Sequence, residues 1–159
     1  MEPSILYLPK KGHTPQHAGR LVWRIDNGPE TYAERTSFGL GEFPPGSGQR
    51  YWVFSGSTGT PEQENYFYFQ IIIDYQRGPF ENITLKLGDH KLLSMGHTYS
   101  IPAPEGFYGV QTVAADAGET TLSLDLETGT IDGRFESVYR ALRLAPKGHF
   151  RMTRDNLQV

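Results

Sequence analysis

The chain has no cysteine. It can therefore form no disulfide, no thiolate metal site and no cysteine nucleophile, and its redox compartment is left undetermined. It also has no surplus of positive charge. A formal net charge of −3 over 159 residues provides no footprint for general binding to phosphate backbones, so nucleic acid is not an expected partner. No run approaches the roughly 18 apolar residues that a membrane-spanning helix needs. The start of the chain lacks a basic segment, and its apolar stretch, Ile5 to Leu8, is short, so it does not read as a signal peptide. A cytoplasmic location is expected on that basis, although a mature exported chain trimmed of its signal would look the same.

Alanine is scarce as well. Eight Ala stand against 13 Thr, eight Ile, six Val and twenty aromatic residues, a balance that favours pleated, half-buried surfaces over helices. The 18 Gly and 11 Pro are spread along the chain as punctuation between short segments. The breaker-rich stretch Pro9 to Gly19 reads as a mobile loop. Leu21, Trp23 and Ile25 then alternate with Val22, Arg24 and Asp26, which predicts a strand with Trp23 facing the core. A weaker extended piece covers about Tyr32 to Phe38, and the glycines and the Pro44-Pro45 pair between Gly39 and Gly48 predict a long loop. Arg50 to Ser55 returns to β character, and Glu62 to Asn65 suits one helical turn.

The strongest strand signal is Tyr66 to Ile73. Phe67, Phe69, Ile71 and Ile73 share one face, and Tyr66, Tyr68, Gln70 and Ile72 the other. Both faces are largely apolar, which predicts a central strand covered on both sides. Ile83 to Leu87, Tyr99 to Ile101 and Phe107 to Ala115 read as further strands, with Lys91 to Met95 ambiguous. In the C-terminal third, Leu122, Leu124 and Leu126 face one way. Across the Glu127-Thr128-Gly129 turn, Ile131, Gly133, Phe135, Ser137 and Tyr139 share one side, which predicts a hairpin. Gly133 on the inward side points to a bulge or to the close approach of a backbone or a large side chain. Glu136 to Leu144 has a helical alternative, and His149 to Arg154 reads as the last strand. About nine strands at turn spacings near ten residues predict an all-β domain over residues 1–159, an antiparallel sandwich or flattened barrel with at most one or two helical turns.

Chemistry is harder to locate. His13 and His17 have a metal-like spacing, but Pro15 between them removes the helix on which two imidazoles would converge, so they read as solvated loop. His90 and His97 carry no further ligands, and no metal or cofactor is implied. The segments Gly46-Ser47-Gly48 and Gly56-Ser57-Thr58-Gly59 miss the serine-nucleophile pattern, and no phosphate-cradling glycine motif follows a strand. Asp74, at the end of the apolar strand beside Tyr75, is the carboxylate with the best prospect of a shifted pKa, against its ordinary role in a turn.

The aromatic pattern is the more suggestive one. Tyr51, Tyr66 and Tyr68 are expected on the side opposite Trp52, Phe54, Phe67 and Phe69. There they would stack a sugar ring, line a small-molecule cavity or meet a protein partner, unless they simply pack a covered strand. The expected function is a non-catalytic binding or interaction protein using one face or the mouth of the β-structure. A carbohydrate-binding module is one alternative, and a hydrolase or isomerase whose Asp, Glu and His converge only in three dimensions is the other. Oligomeric state is left open.

Overall fold

A computed structural model of the chain describes residues 18–42, 44–75 and 79–154. The His13/His17 pair and most of the expected loop over Pro9 to Gly19 lie outside the described residues. The strands are β1 (Gly19–Ile25), β2 (Glu30–Tyr32), β3 (Arg35–Glu42), β4 (Arg50–Thr58), β5 (Phe67–Asp74), β6 (Phe80–Lys86), β7 (Leu92–Ile101), β8 (Gly109–Ala114), β9 (Ala117–Asp125), β10 (Thr130–Val138) and β11 (Pro146–Thr153). One turn of 3₁₀ helix, Arg140–Leu142, stands between β10 and β11.

The strands form two antiparallel sheets. One has six strands in the order β2-β1-β11-β10-β9-β6, and the other has five in the order β3-β4-β5-β7-β8. The two sheets are separate, so the architecture is a sandwich rather than a barrel. Their inner faces meet in one apolar cluster to which both sheets contribute. Its centre is aromatic: the Trp23 ring of β1 stacks on Phe67 at 5.8 Å and meets Phe69 edge-on at 5.3 Å, and Phe54 lies 4.7 Å from Phe150 of β11. Among the described residues no helix is long and apolar enough to cross a membrane.

The local alternation predicts most of these strands. The expected hairpin is β9 with β10, in a register that sets Leu124 opposite Ile131 and Leu122 opposite Gly133. β5 is central, with β4 and β7 on either side, and both its faces are covered: Phe69 and Ile71 on one side and Tyr68, Gln70 and Ile72 on the other are all buried.

Among the described residues the strands number eleven rather than about nine, and three local expectations change as well. The loop expected over Gly39 to Gly48 begins only after Glu42, because β3 continues through Gly39 and Gly41. Leu40 pairs with Trp52 there, and the ladder to β4 outweighs the poor strand propensity of glycine. The segment Glu62 to Asn65 is a turn closed by the Glu64 N–H donating to the Pro61 carbonyl at 3.1 Å; Glu64 has φ 58°, which a right-handed helix excludes. The helical alternative for Glu136 to Leu144 reduces to the single 3₁₀ turn, since β10 runs to Val138.

Two glycines in the six-stranded sheet show how closely it packs. A Cβ on Gly133 would lie 2.8 Å from the Leu122 Cα, so the space is taken by the backbone of β9. At Gly148 of β11 the same atom would sit 2.6 Å from the Phe135 ring and against the Val22 carbonyl. The aromatic ring of β10 occupies the position of the absent side chain. Gly148→Ala is expected to destabilise the fold by about 2–3 kcal/mol, through forced displacement of Phe135 and β1. It should appear as a lower urea midpoint at unchanged slope. A midpoint equal to that of the parent would show that the ring and strand move aside without cost.

Candidate functional site

All three candidate tyrosines belong to the outer face of the five-stranded sheet, but they do not form one site. Tyr51, near the start of β4, is paired with Asp74 at the end of β5, whereas Tyr68 is paired with Ser57 and Thr98. Six residues of β5 separate the two positions, a distance of about 20 Å along the strand.

Tyr66 and Tyr68 form a stack of their own, with centroids 5.8 Å apart and planes inclined by 18°. Tyr68 is only 4% exposed. Its hydroxyl accepts a hydrogen bond from Gln70 Nε2 at 3.0 Å and interacts with the Ser55 side chain. Burial raises its pKa far above the usual phenol value, outweighing those hydrogen bonds. Tyr66 is half-buried, and burial raises its pKa as well, against the opposing charge of Arg35. Tyr68 is thus a packed residue with a satisfied hydroxyl, and Tyr66 leans against it.

Tyr51 has a different setting. It lines a cleft of about 470 Å³ together with Gly48, Gln49, Arg50, Asp74, Tyr75 and Leu93. The cleft is shaped by the turn leading into β4. There the Ser47 N–H donates to the Pro44 carbonyl at 3.0 Å, and Gly46 and Gly48 take φ values of 80° and 79° that only glycine adopts without strain. The Gly48 N–H is tied to Glu42 Oε1 at 2.7 Å and the Gln49 N–H to Ser47 Oγ at 3.1 Å. Gln49 in turn accepts a hydrogen bond from the Tyr51 hydroxyl at 3.0 Å.

On the other side, the Tyr75 N–H donates to the Arg50 carbonyl at 3.2 Å, and the Arg50 guanidinium lies 4.8 Å above the Tyr75 ring. Tyr75 also rests against Trp52, with centroids 5.9 Å apart, so the cleft is anchored to the core. Leu93 supplies an exposed aliphatic wall. The outer side of this corner gathers the Tyr51 phenol, the Asp74 carboxylate, the Gln49 amide and the Leu93 side chain, while the Arg50 guanidinium and the Tyr75 ring lie together on the Trp52 side of the sheet. The cleft volume lies in the usual range of small-molecule sites, about 300–1,000 Å³.

The same corner bears on the acid–base reading. Among the described residues Asp74 is the only carboxylate lining the cleft, and no histidine joins it. The Asp89 carboxylate does approach His90 Nδ1, at 3.2 Å, but these are sequence neighbours in an exposed turn. His97 is buried on the inner face of β7, where it packs between Phe67 at 4.4 Å and Phe69 at 4.7 Å. Among the described residues no three His, Asp or Glu side chains gather as a metal-binding set.

Two further clefts lie on the six-stranded sheet. One of about 580 Å³ is bordered by Arg24, Glu30, Lys147 and His149, and one of about 400 Å³ by Thr121, Asp132, Arg134 and Arg151. Of the rings among their described lining, Trp23 and Phe150 are buried in the core, and His149 is exposed. Gln49, Arg50 and Leu93 carry no sequence signal that would have singled them out. Tyr75 was visible only as the neighbour of Asp74. The pairing of β4 with β5, which brings these residues to Tyr51, joins positions more than twenty residues apart. Compared with protein-family models, curated proteins and solved structures, the chain matches none.

Proposed function

We propose that the protein is a ligand-binding β-sandwich whose Tyr51 cleft takes a small polar ring compound, best fitted by a carbohydrate of one or two sugar rings. The observation that carries this reading is the convergence of Tyr51 with Gln49, Asp74 and Leu93 in one cleft. A pyranose has apolar C–H patches that rest on an aromatic face, and hydroxyls that need both donors and acceptors. Tyr51 and Leu93 supply the first; Asp74 accepts, and Gln49 both donates and accepts. The cleft lies at the ends of three mutually paired strands, β4, β5 and β7, so hydrogen-bonded backbone holds its lining and lowers the ordering cost of binding.

Calorimetric or NMR titration with a panel of mono- and disaccharides tests the proposal. Saturable binding by the parent protein is expected, with at least about tenfold weaker affinity for Tyr51→Ala, equivalent to about 1.4 kcal/mol. Because Tyr51 is only partly buried, the variant should keep the parent's unfolding midpoint. A panel in which no saccharide saturates, or a Tyr51→Ala protein with unchanged affinity, would sink the reading. Tyr68→Ala is not a substitute for this test, since deleting a buried ring lowers stability whatever the ligand.

A further inference from the structure

A β-sandwich leaves four sheet edges, and each edge strand presents backbone N–H and C=O groups to any strand that approaches. Three of the four edges here are blunted. β2 has only three residues. β6 carries Glu81 and Lys86, a register shift between Phe80 and Ile83, and Asn82 at φ 49°. β3 is met by the chain entering β1: the Ala18 N–H donates to the Thr36 carbonyl at 3.4 Å, and the Gly19 N–H to Thr36 Oγ1 at 3.1 Å.

β8 has none of these protections. Its sequence Gly-Val-Gln-Thr-Val-Ala contains no charge and no proline, and its register with β7 runs without a bulge from Ile101↔Gly109 to Gly96↔Ala114. The Ala115 N–H donates to the Met95 carbonyl at 2.9 Å, which marks that pair as hydrogen-bonded. Hydrogen-bonded and non-hydrogen-bonded pairs alternate in an antiparallel ladder. Gly109, Gln111 and Val113 therefore turn their backbone groups to β7, while Val110, Thr112 and Ala114 turn theirs outward. Next to this edge stand apolar side chains in water: Phe107 is 70% exposed, Tyr108 62% and Val110 46%.

We infer that β8 is the docking edge for a second copy of the chain, with two β8 strands pairing antiparallel about a two-fold axis at Thr112. A two-fold pairing requires a strand that complements itself. In this register Val110 of one copy meets Ala114 of the other and Thr112 meets Thr112, so no like charges oppose each other. The outward N–H and C=O groups of the three residues are satisfied in both copies, and the two five-stranded sheets become continuous. Phe107 and Tyr108, at the end of each β8, are placed to cover the far end of the partner strand. A single strand pair with these side chains is a small interface, so a dimer that forms at micromolar to millimolar concentration is expected rather than an obligate one.

The test is sedimentation equilibrium over that concentration range, with amide hydrogen exchange read on the same samples. The average mass should rise from 17.9 kDa towards twice that value. The amides of Val110, Thr112 and Ala114 should gain protection as concentration rises. Val110→Lys, which sets a lysine beside the pairing edge at an exposed position, should hold the protein monomeric while leaving its unfolding midpoint unchanged. A mass that stays at the monomer value throughout would overturn the inference. So would a dimer that survives Val110→Lys, or one that forms without protecting those three amides. The cleft at Tyr51 plays no part in this pairing, so saccharide titrations and sedimentation succeed or fail independently.

Discussion

Phe54→Ala is expected to remove about 4 kcal/mol of folding stability. Phe54 is 0% exposed, and its ring bridges the two sheets through Phe150, at 4.7 Å, while touching Phe38 of its own sheet edge-on at 6.5 Å. Truncation forfeits the transfer energy of a whole ring and leaves a cavity between two hydrogen-bonded sheets that cannot collapse freely. Domains are typically stable by only about 5–15 kcal/mol, so the variant should unfold at a much lower urea concentration. A loss below about 1 kcal/mol would mean that the sheets close over the gap, contrary to the tight inter-sheet packing. The exposed Tyr32 is the control, and its truncation should change the midpoint little.

Acid is expected to destabilise the protein through His97. This side chain is 1% exposed, and its Nδ1 lies 2.9 Å from the Tyr68 carbonyl. A carbonyl only accepts, so Nδ1 carries the hydrogen and, in the neutral ring, Nε2 is bare. The surroundings are rings: Phe67, Phe69, Tyr99 and Tyr139 all have centroids within 5.6 Å. Burial there pushes the pKa down from 6.5 to about 4, and the hydrogen bond to the Tyr68 carbonyl recovers only part of that shift. In the unfolded chain the same imidazole takes up a proton near pH 6.5.

Between those two values the unfolded state binds the extra proton. Stability is therefore complete above about pH 6.5, declines as the pH falls towards about 4, and loses nothing more to this residue below that. The shift corresponds to about 3 kcal/mol. Urea midpoints measured across this window should follow that slope. They should flatten in His97→Gln, which keeps a donor for the Tyr68 carbonyl but does not titrate. An equally steep slope in the variant would assign the acid sensitivity to other groups.

Much of the fold is readable in local pattern. The alternation of Tyr66 to Ile73, apolar on both faces, implies a covered central strand, and β5 is one. The leucines of β9 and the Ile131-to-Tyr139 alternation of β10 imply the hairpin, and the turn between them is where the composition puts it. Where reading by pattern failed, ladder pairing outweighed propensity. Glycines at 39 and 41 suggest a loop, yet Leu40 finds Trp52 across the ladder and the strand continues.

The candidate site was only partly readable. Alternation says correctly that Tyr51 and Tyr68 share a face, but it does not say what lies over each of them. Tyr68 is buried with its hydroxyl satisfied, while Tyr51 opens onto a cleft, although the two residues look equivalent in sequence. Arg50, Gln49 and Leu93 have nothing in their own neighbourhoods to mark them.

The scarcity of alanine, the abundance of β-branched and aromatic residues and the period-two patterning thus determined by themselves that this is a β protein with a particular inner face. Side-chain direction along a strand depends only on the residue count, which any sequence displays. Tertiary structure alone decided that there are two separate sheets, that Tyr51 meets Asp74 across the ladder, and that β8 is an edge strand among the described residues. Each of these depends on which distant strands pair. β1, for example, joins β11 through Gly19 and Met152, at opposite ends of the described chain. Such pairings are selected by the packing of the whole core, not by any local run of residues.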